Sequence, residues 1–227
     1  MHHFLNLKSS CVLCGGITNE PISLCKPCQR DLPRIQNACH QCGLPAVESQ
    51  YNLCGQCVKV PPTIDYTHSV FYYEPPIDFL VGQLKFEEKL SCAAILGNLL
   101  AESIAQMDDL PDVIVPVPLY KKRLFKRGFN QSLEMARPVS KQLQIAIETN
   151  LVSRTKSTRA QAKLNLAQRK KNIKGCFKVQ QNHRYQHVVL VDDVITTGST
   201  INELARILKQ SGVKKVGVWS IARAILN

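Results

Sequence analysis

Asp192 and Asp193 stand side by side at the end of an apolar, β-branched run, and the loop that follows holds Thr196, Thr197, Gly198, Ser199 and Thr200. Adjacent carboxylates can accept hydrogen bonds from the two hydroxyls of a ribose, or hold a magnesium ion through water. The threonine and serine hydroxyls are donors for an anion, and Gly198 lets backbone N–H groups close on a phosphate. A helical pattern begins at Ile201, and the first turn of a helix offers free N–H groups to an anion. Carboxylates for a sugar and N–H groups for its phosphate describe a 5-phosphoribosyl site. The lysine-bearing GxxxxGK[ST] loop of nucleoside triphosphatases does not occur, which weakens that alternative. A core strand followed by an ordinary Ser/Thr-capped helix is the plainer account. It leaves the coincidence of acid pair and hydroxyl-rich loop unexplained.

A second chemistry sits at the other end of the chain. Eight cysteines form four CxxC pairs, Cys11/Cys14, Cys25/Cys28, Cys39/Cys42 and Cys54/Cys57. CxxC is the spacing of a zinc knuckle, whose tight turn brings two thiolates to one tetrahedral ion. The segment repeats a CxxCG and then an LCxxC, twice over, which predicts two structural zinc ions held by consecutive four-cysteine sets. An interleaved cross-brace is the alternative pairing. A thioredoxin-like redox motif is disfavoured, because no βαβ pattern surrounds the pairs. About sixty residues of this kind build little core alone, so metal is expected to fold them. Cys92 and Cys176 fall outside the pattern and are expected to be buried thiols, and His40 is not needed as a ligand.

Charge is unevenly distributed. The formal net charge is +12. Between Lys121 and Lys174 fifteen Lys/Arg face only Glu134 and Glu148, so this segment holds all of the excess. Such a stretch expects phosphate-rich partners, single-stranded DNA among them. Lys121, Lys122, Arg123, Lys126 and Arg127 read as a basic loop that could neutralise a pyrophosphate leaving group. No apolar stretch is long enough to span a bilayer and no export signal is visible, so a reducing cytoplasm without membrane insertion is expected.

These groups need elements to hold them. Pro61 and Pro62 suggest a boundary between a zinc module at residues 1–60 and a larger domain at 61–227. In the latter, strands are expected near Ile64–Tyr73, Asp112–Val115, His187–Val191 and Lys215–Ile221. Helices are expected over Ile77–Phe86, Leu90–Met107, Gln131–Leu143 and Ile201–Gln210. Alternating strands and helices imply an α/β fold with a parallel sheet. Arg154 to Phe177 is basic and poor in β-branched residues, which suits a lid over the site.

VDDVITTGST resembles the phosphoribosyl pyrophosphate (PRPP) signature of type I phosphoribosyltransferases. By that resemblance Asp192 and Asp193 are the catalytic carboxylates facing the ribose hydroxyls, and Thr196 to Thr200 wrap the 5-phosphate. With the double zinc ribbon, VPVPLxxxRxxxRGFNQ and RTxxTxxQxxLxxxxRxxN, nearly the whole chain resembles the ComF family of competence-associated phosphoribosyltransferase-like proteins. The matched positions are Arg123, Arg127, Gly128, Asn130, Gln131, Arg154, Thr155, Thr158, Gln161, Leu164, Arg169 and Asn172. Of these, Arg123 and Arg127 would join the PRPP site, and Arg154, Thr155, Thr158, Gln161 and Arg169 would belong to a flexible loop. The resemblance implies a type I phosphoribosyltransferase-like sheet flanked by helices, a small N-terminal double zinc ribbon, and magnesium bound with PRPP. It also implies cytoplasmic handling of imported single-stranded DNA, in natural competence or DNA utilisation, beside DNA-translocation or helicase machinery. A base-salvage phosphoribosyltransferase is a second possibility, but it would need neither zinc ribbons nor a basic segment. A non-catalytic adaptor binding PRPP or a DNA end is a third.

Overall fold

The computed structural model describes residues 9–46, 52–157 and 173–225. Its centre is a four-stranded, all-parallel sheet made of β3 (Tyr66–Tyr72), β4 (Val113–Pro116), β7 (His187–Ile195) and β8 (Lys215–Arg223), in the order β3-β8-β7-β4. The central strands are covered on both faces, which is why they read as continuous apolar runs. Successive side chains of β7 nevertheless part company. Val189 and Val191 join the core under α3 (Ile77–Phe86), α4 (Leu90–Ile104) and α6 (Gln131–Leu143), together with Trp219 and Ile221. Val188 and Leu190 join the opposite core under α7 (Ser199–Gln210), with Val216 and Val218. That split is the two-residue period of a strand.

The helices dock by matching stripes. Ile77, Leu80, Val81 and Leu84 of α3 and Ile201, Leu204, Ala205 and Leu208 of α7 are buried, each at the i, i+3, i+4, i+7 spacing of one helical face. A short antiparallel hairpin, β5 (Val152–Arg154) with β6 (Phe177–Val179), adds Val152 and Phe177 to the second core.

Both exposed edges of the sheet are closed, which protects against edge-to-edge pairing. Beyond β4, Ile114 donates its N–H to Ala146 O (2.9 Å) and Glu148 donates to Ile114 O (2.9 Å). Along β3, the chain from Pro33 into the second cysteine set runs antiparallel: Tyr72 N–H reaches Pro33 O at 2.9 Å, Ile35 N–H reaches Val70 O at 3.0 Å, and Thr67 N–H reaches His40 O at 2.8 Å. The cysteine-rich segment is therefore a lateral extension of the sheet.

Within it the sequence repeat becomes a structural one. In the first half β1 (Ser9–Ser10) pairs with β2 (Ile17–Thr18), and Cys25 caps α1 (Lys26–Arg30). In the second half Cys39 opens the same knuckle turn, with Gly43 N–H to Cys39 O at 2.9 Å, and Cys54 caps α2 (Gly55–Lys59).

Three expected elements come out differently. The basic stretch after β4 is a short helix, α5 (Lys121–Arg127), where a loop was expected. The strand before the acid pair runs on through it to Ile195, and α7 starts at Ser199 rather than Ile201. Hydrogen bonding to β8 continues as far as Ile195 opposite Arg223, so the pairing partner, not the local sequence, sets the strand's end.

Candidate functional site

The carboxyl ends of β4 and β7 open into a cleft of about 380 Å³, lined among others by Lys85, Arg123, Arg127, Ser132, Arg154, Asp192, Asp193 and Thr200. Outside the carboxyl ends of parallel strands is where ligands bind in open α/β sheets. Several elements supply these residues. The acid pair lies near the carboxyl end of β7, the two arginines Arg123 and Arg127 lie one turn apart on α5, Arg154 comes from β5, and Lys85 is in the last turn of α3.

The carboxylates are held by short bonds. Asp193 is buried and accepts an ion pair from Lys85 Nζ at 2.8 Å, and its other oxygen accepts Val194 N–H at 2.7 Å. Asp192 is half-buried at the wall of the cleft and accepts Ser132 Oγ–H at 3.2 Å and Asp193 N–H at 2.9 Å. Ser132 is placed by the cap of α6. Asn130 Oδ1 accepts Ser132 N–H at 3.0 Å, while Asn130 Nδ2–H donates to Val117 O at 3.1 Å. Burial first, and then the charge of Asp193, push Asp192 up to about 7, against the pull of Lys85 and its two donors. A carboxylate so placed gains from any additional donor or cation in the cleft. Four cations and two carboxylates surround the space, which fits a strongly anionic ligand.

Arg127 Nη1–H donates to Gln131 Oε1 at 2.6 Å, fixing the side chain across the start of α6. Arg154 lies over the Phe177 ring at 5.4 Å. Burial lowers the pKa of both guanidinium groups, though an arginine stays charged.

The loop after the acid pair divides. Thr200 faces the cleft. Thr196 is exposed, and Gly198 caps α7 with φ +71°, the left-handed region that costs other residues strain. Thr197 Oγ1 and Ser199 Oγ are 3.0 Å apart and line a second cleft of about 400 Å³ between α7 and the cysteine-rich segment. Thr155 lies beside the hairpin, donating its N–H to Cys176 O at 2.8 Å. Thr158, Gln161 and Arg169 lie outside the described residues. Sequence reasoning did not single out Lys85. A lysine at the end of an amphipathic helix carries no local sign that it will meet a carboxylate more than a hundred residues later.

At the other end of the molecule Cys11, Cys14, Cys25 and Cys28 bring their sulfurs together, as do Cys39, Cys42, Cys54 and Cys57, all ligand atoms of a set lying within 4.8 Å of one another. The consecutive pairing holds and the cross-brace does not. The sulfur-only donor sets suit zinc. Their electrostatics also fit. Burial pushes Cys11 and Cys39 up, but backbone N–H groups outweigh it and bring Cys11 to about 6 and Cys39 to about 7. The neighbouring Cys25 sulfur, and then burial, push Cys28 up, and burial does the same for Cys57. Four thiolates this close need a dication between them.

Comparison with known proteins finds two domains in the chain. Residues 85–224 match the phosphoribosyl transferase domain and residues 7–58 the double zinc ribbon domain. The DNA utilization protein YhgH of Escherichia coli (strain K12) is 37% identical over 207 residues, covering 89% of this chain and 91% of that protein. Competence protein F of Haemophilus influenzae is 34% identical over 235 residues, 99% of this chain and 100% of the other. Among solved structures, the glutamine PRPP amidotransferase of B. subtilis aligns with a TM-score of 0.41 at 17% identity, covering 61% of this chain and 30% of that one. The chain belongs to the phosphoribosyl transferase domain family, carries a double zinc ribbon domain before it, and is a relative of YhgH and competence protein F.

Proposed function

We infer that the Asp192/Asp193 cleft binds PRPP or another 5-phosphoribosyl ligand. The observation that carries this is the convergence of Asp192, Asp193 and Thr200 with Lys85, Arg123, Arg127 and Arg154 around one space. In this reading the carboxylates take the ribose hydroxyls, Thr200 meets the 5-phosphate with its side chain, and the loop of Thr196, Thr197, Gly198 and Ser199 meets it with its backbone. Arg123, Arg127 and Arg154 face the pyrophosphate. Hard carboxylate oxygens suit magnesium, and Asp192 would hold it through water, where the ion offsets charge on the pyrophosphate. In a transfer, the bond from the anomeric carbon to pyrophosphate breaks as an acceptor attacks, and the arginines stabilise the negative charge that leaves. Calorimetry with PRPP and magnesium on zinc-loaded protein tests binding, and heats of mixing no different from buffer would sink this reading. Screening bases, nucleosides and oligonucleotides for PRPP-dependent pyrophosphate release separates a transferase from a binding module.

The names of the relatives and the basic segment support a role with single-stranded DNA, in the cytoplasmic handling of imported strands beside translocation or helicase machinery. Residues 1–60 would then serve as the zinc module and 61–227 as the phosphoribosyltransferase domain. Lys121, Lys122 and Lys126 are exposed on α5, and Phe125 between them is 92% exposed. Cations around a bare aromatic ring suit a single strand, which binds through phosphate contacts and base stacking. Affinity should fall with salt at a slope of about −0.7 per phosphate neutralised. Anisotropy of a labelled oligonucleotide across a salt series checks this, with Lys121→Glu/Lys122→Glu expected to flatten the slope. An unchanged slope removes α5 from the DNA surface.

A further inference from the structure

The second zinc ribbon and the linker that leaves it are each tied to the loop after the acid pair, and each tie is a backbone carbonyl of that loop. Arg223, at the end of β8, is 5% exposed. Its Nε–H donates to Cys42 O, inside the second knuckle, at 2.9 Å. Its Nη1 donates to Ile195 O at 3.0 Å, to Ala224 O at 3.0 Å and to Thr196 O. The second tie leaves the linker directly after α2. Thr63 N–H donates to Asn202 Oδ1 at 2.8 Å, and Asn202 Nδ2–H donates to Gly198 O at 3.1 Å.

Two physical consequences follow. In a trans peptide unit the C=O of one residue and the N–H of the next point in opposite directions. Holding Thr196 O towards Arg223 therefore turns the N–H of Thr197 away from the ribbon, and a loop N–H so turned is what an anion needs. Gly198 O accepts both the backbone N–H of Asn202 at 2.9 Å and its side chain, so Asn202 fixes the carbonyl at the start of α7. The second consequence concerns charge. A buried guanidinium is costly unless something offsets it, and among the described residues no carboxylate makes an ion pair with Arg223. What satisfies it is the set of backbone carbonyls of Cys42, Ile195, Thr196 and Ala224, so the second knuckle is part of what makes Arg223 tolerable where it stands.

We propose that the second zinc ribbon, acting through Arg223 and Asn202, holds the phosphate loop in its binding conformation, which makes these two side chains positioning residues for the 5-phosphate. This rests on the phosphoribosyl reading of the cleft, and two ligands keep the questions apart. Ribose 5-phosphate needs the loop, whereas inorganic pyrophosphate needs Arg123, Arg127 and Arg154.

The test is calorimetry of both ligands on zinc-loaded wild type, Arg223→Met, Arg223→Lys and Asn202→Ala, with zinc content measured for each. Arg223→Met is expected to weaken ribose 5-phosphate by about tenfold or more and Asn202→Ala by about fivefold, the size of one lost charged or neutral hydrogen bond. Pyrophosphate affinity should stay at the wild-type value in both, and Arg223→Lys should recover part of the loss. Equal weakening of the two ligands would reduce Arg223 to a purely structural role and overturn the proposal. So would undiminished ribose 5-phosphate binding in Arg223→Met and Asn202→Ala. If Arg223→Met does not fold, Arg223→Lys and Asn202→Ala on the surface of α7 decide by the same criterion. A wild type that binds pyrophosphate but not ribose 5-phosphate overturns the phosphoribosyl reading itself, and the loop's support with it.

Discussion

The two zinc ribbons share one sequence pattern and one local fold, yet they meet the rest of the molecule in opposite ways. The first docks through apolar side chains: Cys11, Ile22, Leu24 and Leu32 belong to the same buried cluster as Phe71, Leu96 and Trp219. The second docks through backbone and polar contacts. Thr67 Oγ1–H donates to Gln41 O at 2.6 Å, Thr67 N–H to His40 O at 2.8 Å, and Arg223 Nε–H to Cys42 O at 2.9 Å. Gly43 lets the knuckle come this close. Its φ is +67°, and a Cβ there would sit 2.8 Å from Thr67 Cγ2. Apolar contact is non-directional and gives stability, whereas directional contact fixes a geometry. A repeated module can therefore supply stability from one copy and loop geometry from the other.

The strongest way to break that contrast is to remove one zinc at a time. Cys14→Ser and Cys54→Ser should each lower the zinc content from two ions to one, by elemental analysis. Cys54→Ser should weaken ribose 5-phosphate by about tenfold or more, as expected when support around a site is lost. The Cys14→Ser loss should be several times smaller. Equal losses would mean that the ribbons do not differ in this respect.

Next in size is the apolar side of the comparison. Leu24 is fully buried, and Leu24→Ala should cost about 2–5 kcal/mol of stability from lost transfer energy and a residual cavity. Denaturant unfolding measures it. Ribose 5-phosphate affinity of the folded variant should not change, and a loss like that of Cys54→Ser would contradict the division of roles.

Asp192 provides a finer test. Because burial and Asp193 raise it to about 7, the folded chain holds a proton there that the unfolded chain has already released near the ordinary carboxylate range. Its contribution to stability therefore falls as the pH rises from about 4 to 7. Ligand binding runs the other way. Acceptance from ribose hydroxyls by an ionised Asp192 should grow about tenfold between pH 6 and pH 8, and Asp192→Asn should show no such rise of its own. The same profile in wild type and variant would assign the dependence to the ligand's phosphate.

Much of this was legible in the sequence, for physical reasons that also mark where legibility stops. The cysteine repeat spoke plainly because metal ligands a fixed distance apart on a tight turn leave few alternatives. The start and apolar body of β7 were equally plain, since a strand buried on both faces reads as a continuous apolar run, but its end past the acid pair was not, because pairing with β8 sets it. α3 and α6 begin and end where their periodicity indicates. The α5 helix was hidden because Lys121 to Arg127 bury nothing, so no apolar stripe betrays it. Lys85 and Arg223 were hidden for another reason. The partner of Lys85 is Asp193, and those of Arg223 include Cys42 and Thr196, contacts created only when the sheet is assembled.

The central claim is that the β7 acid pair receives a ribose ring. Replacing both acids confuses the outcome, because Asp193→Asn would leave Lys85 without its carboxylate. Asp192→Asn alone avoids this and also removes a raised carboxyl, so its melting temperature should equal or exceed that of wild type. Calorimetry of PRPP with magnesium on this single variant is the decisive measurement. Binding at least about tenfold weaker than wild type, by an unimpaired fold, is the expected result, from loss of a charged acceptor. PRPP bound by Asp192→Asn with wild-type affinity would contradict it.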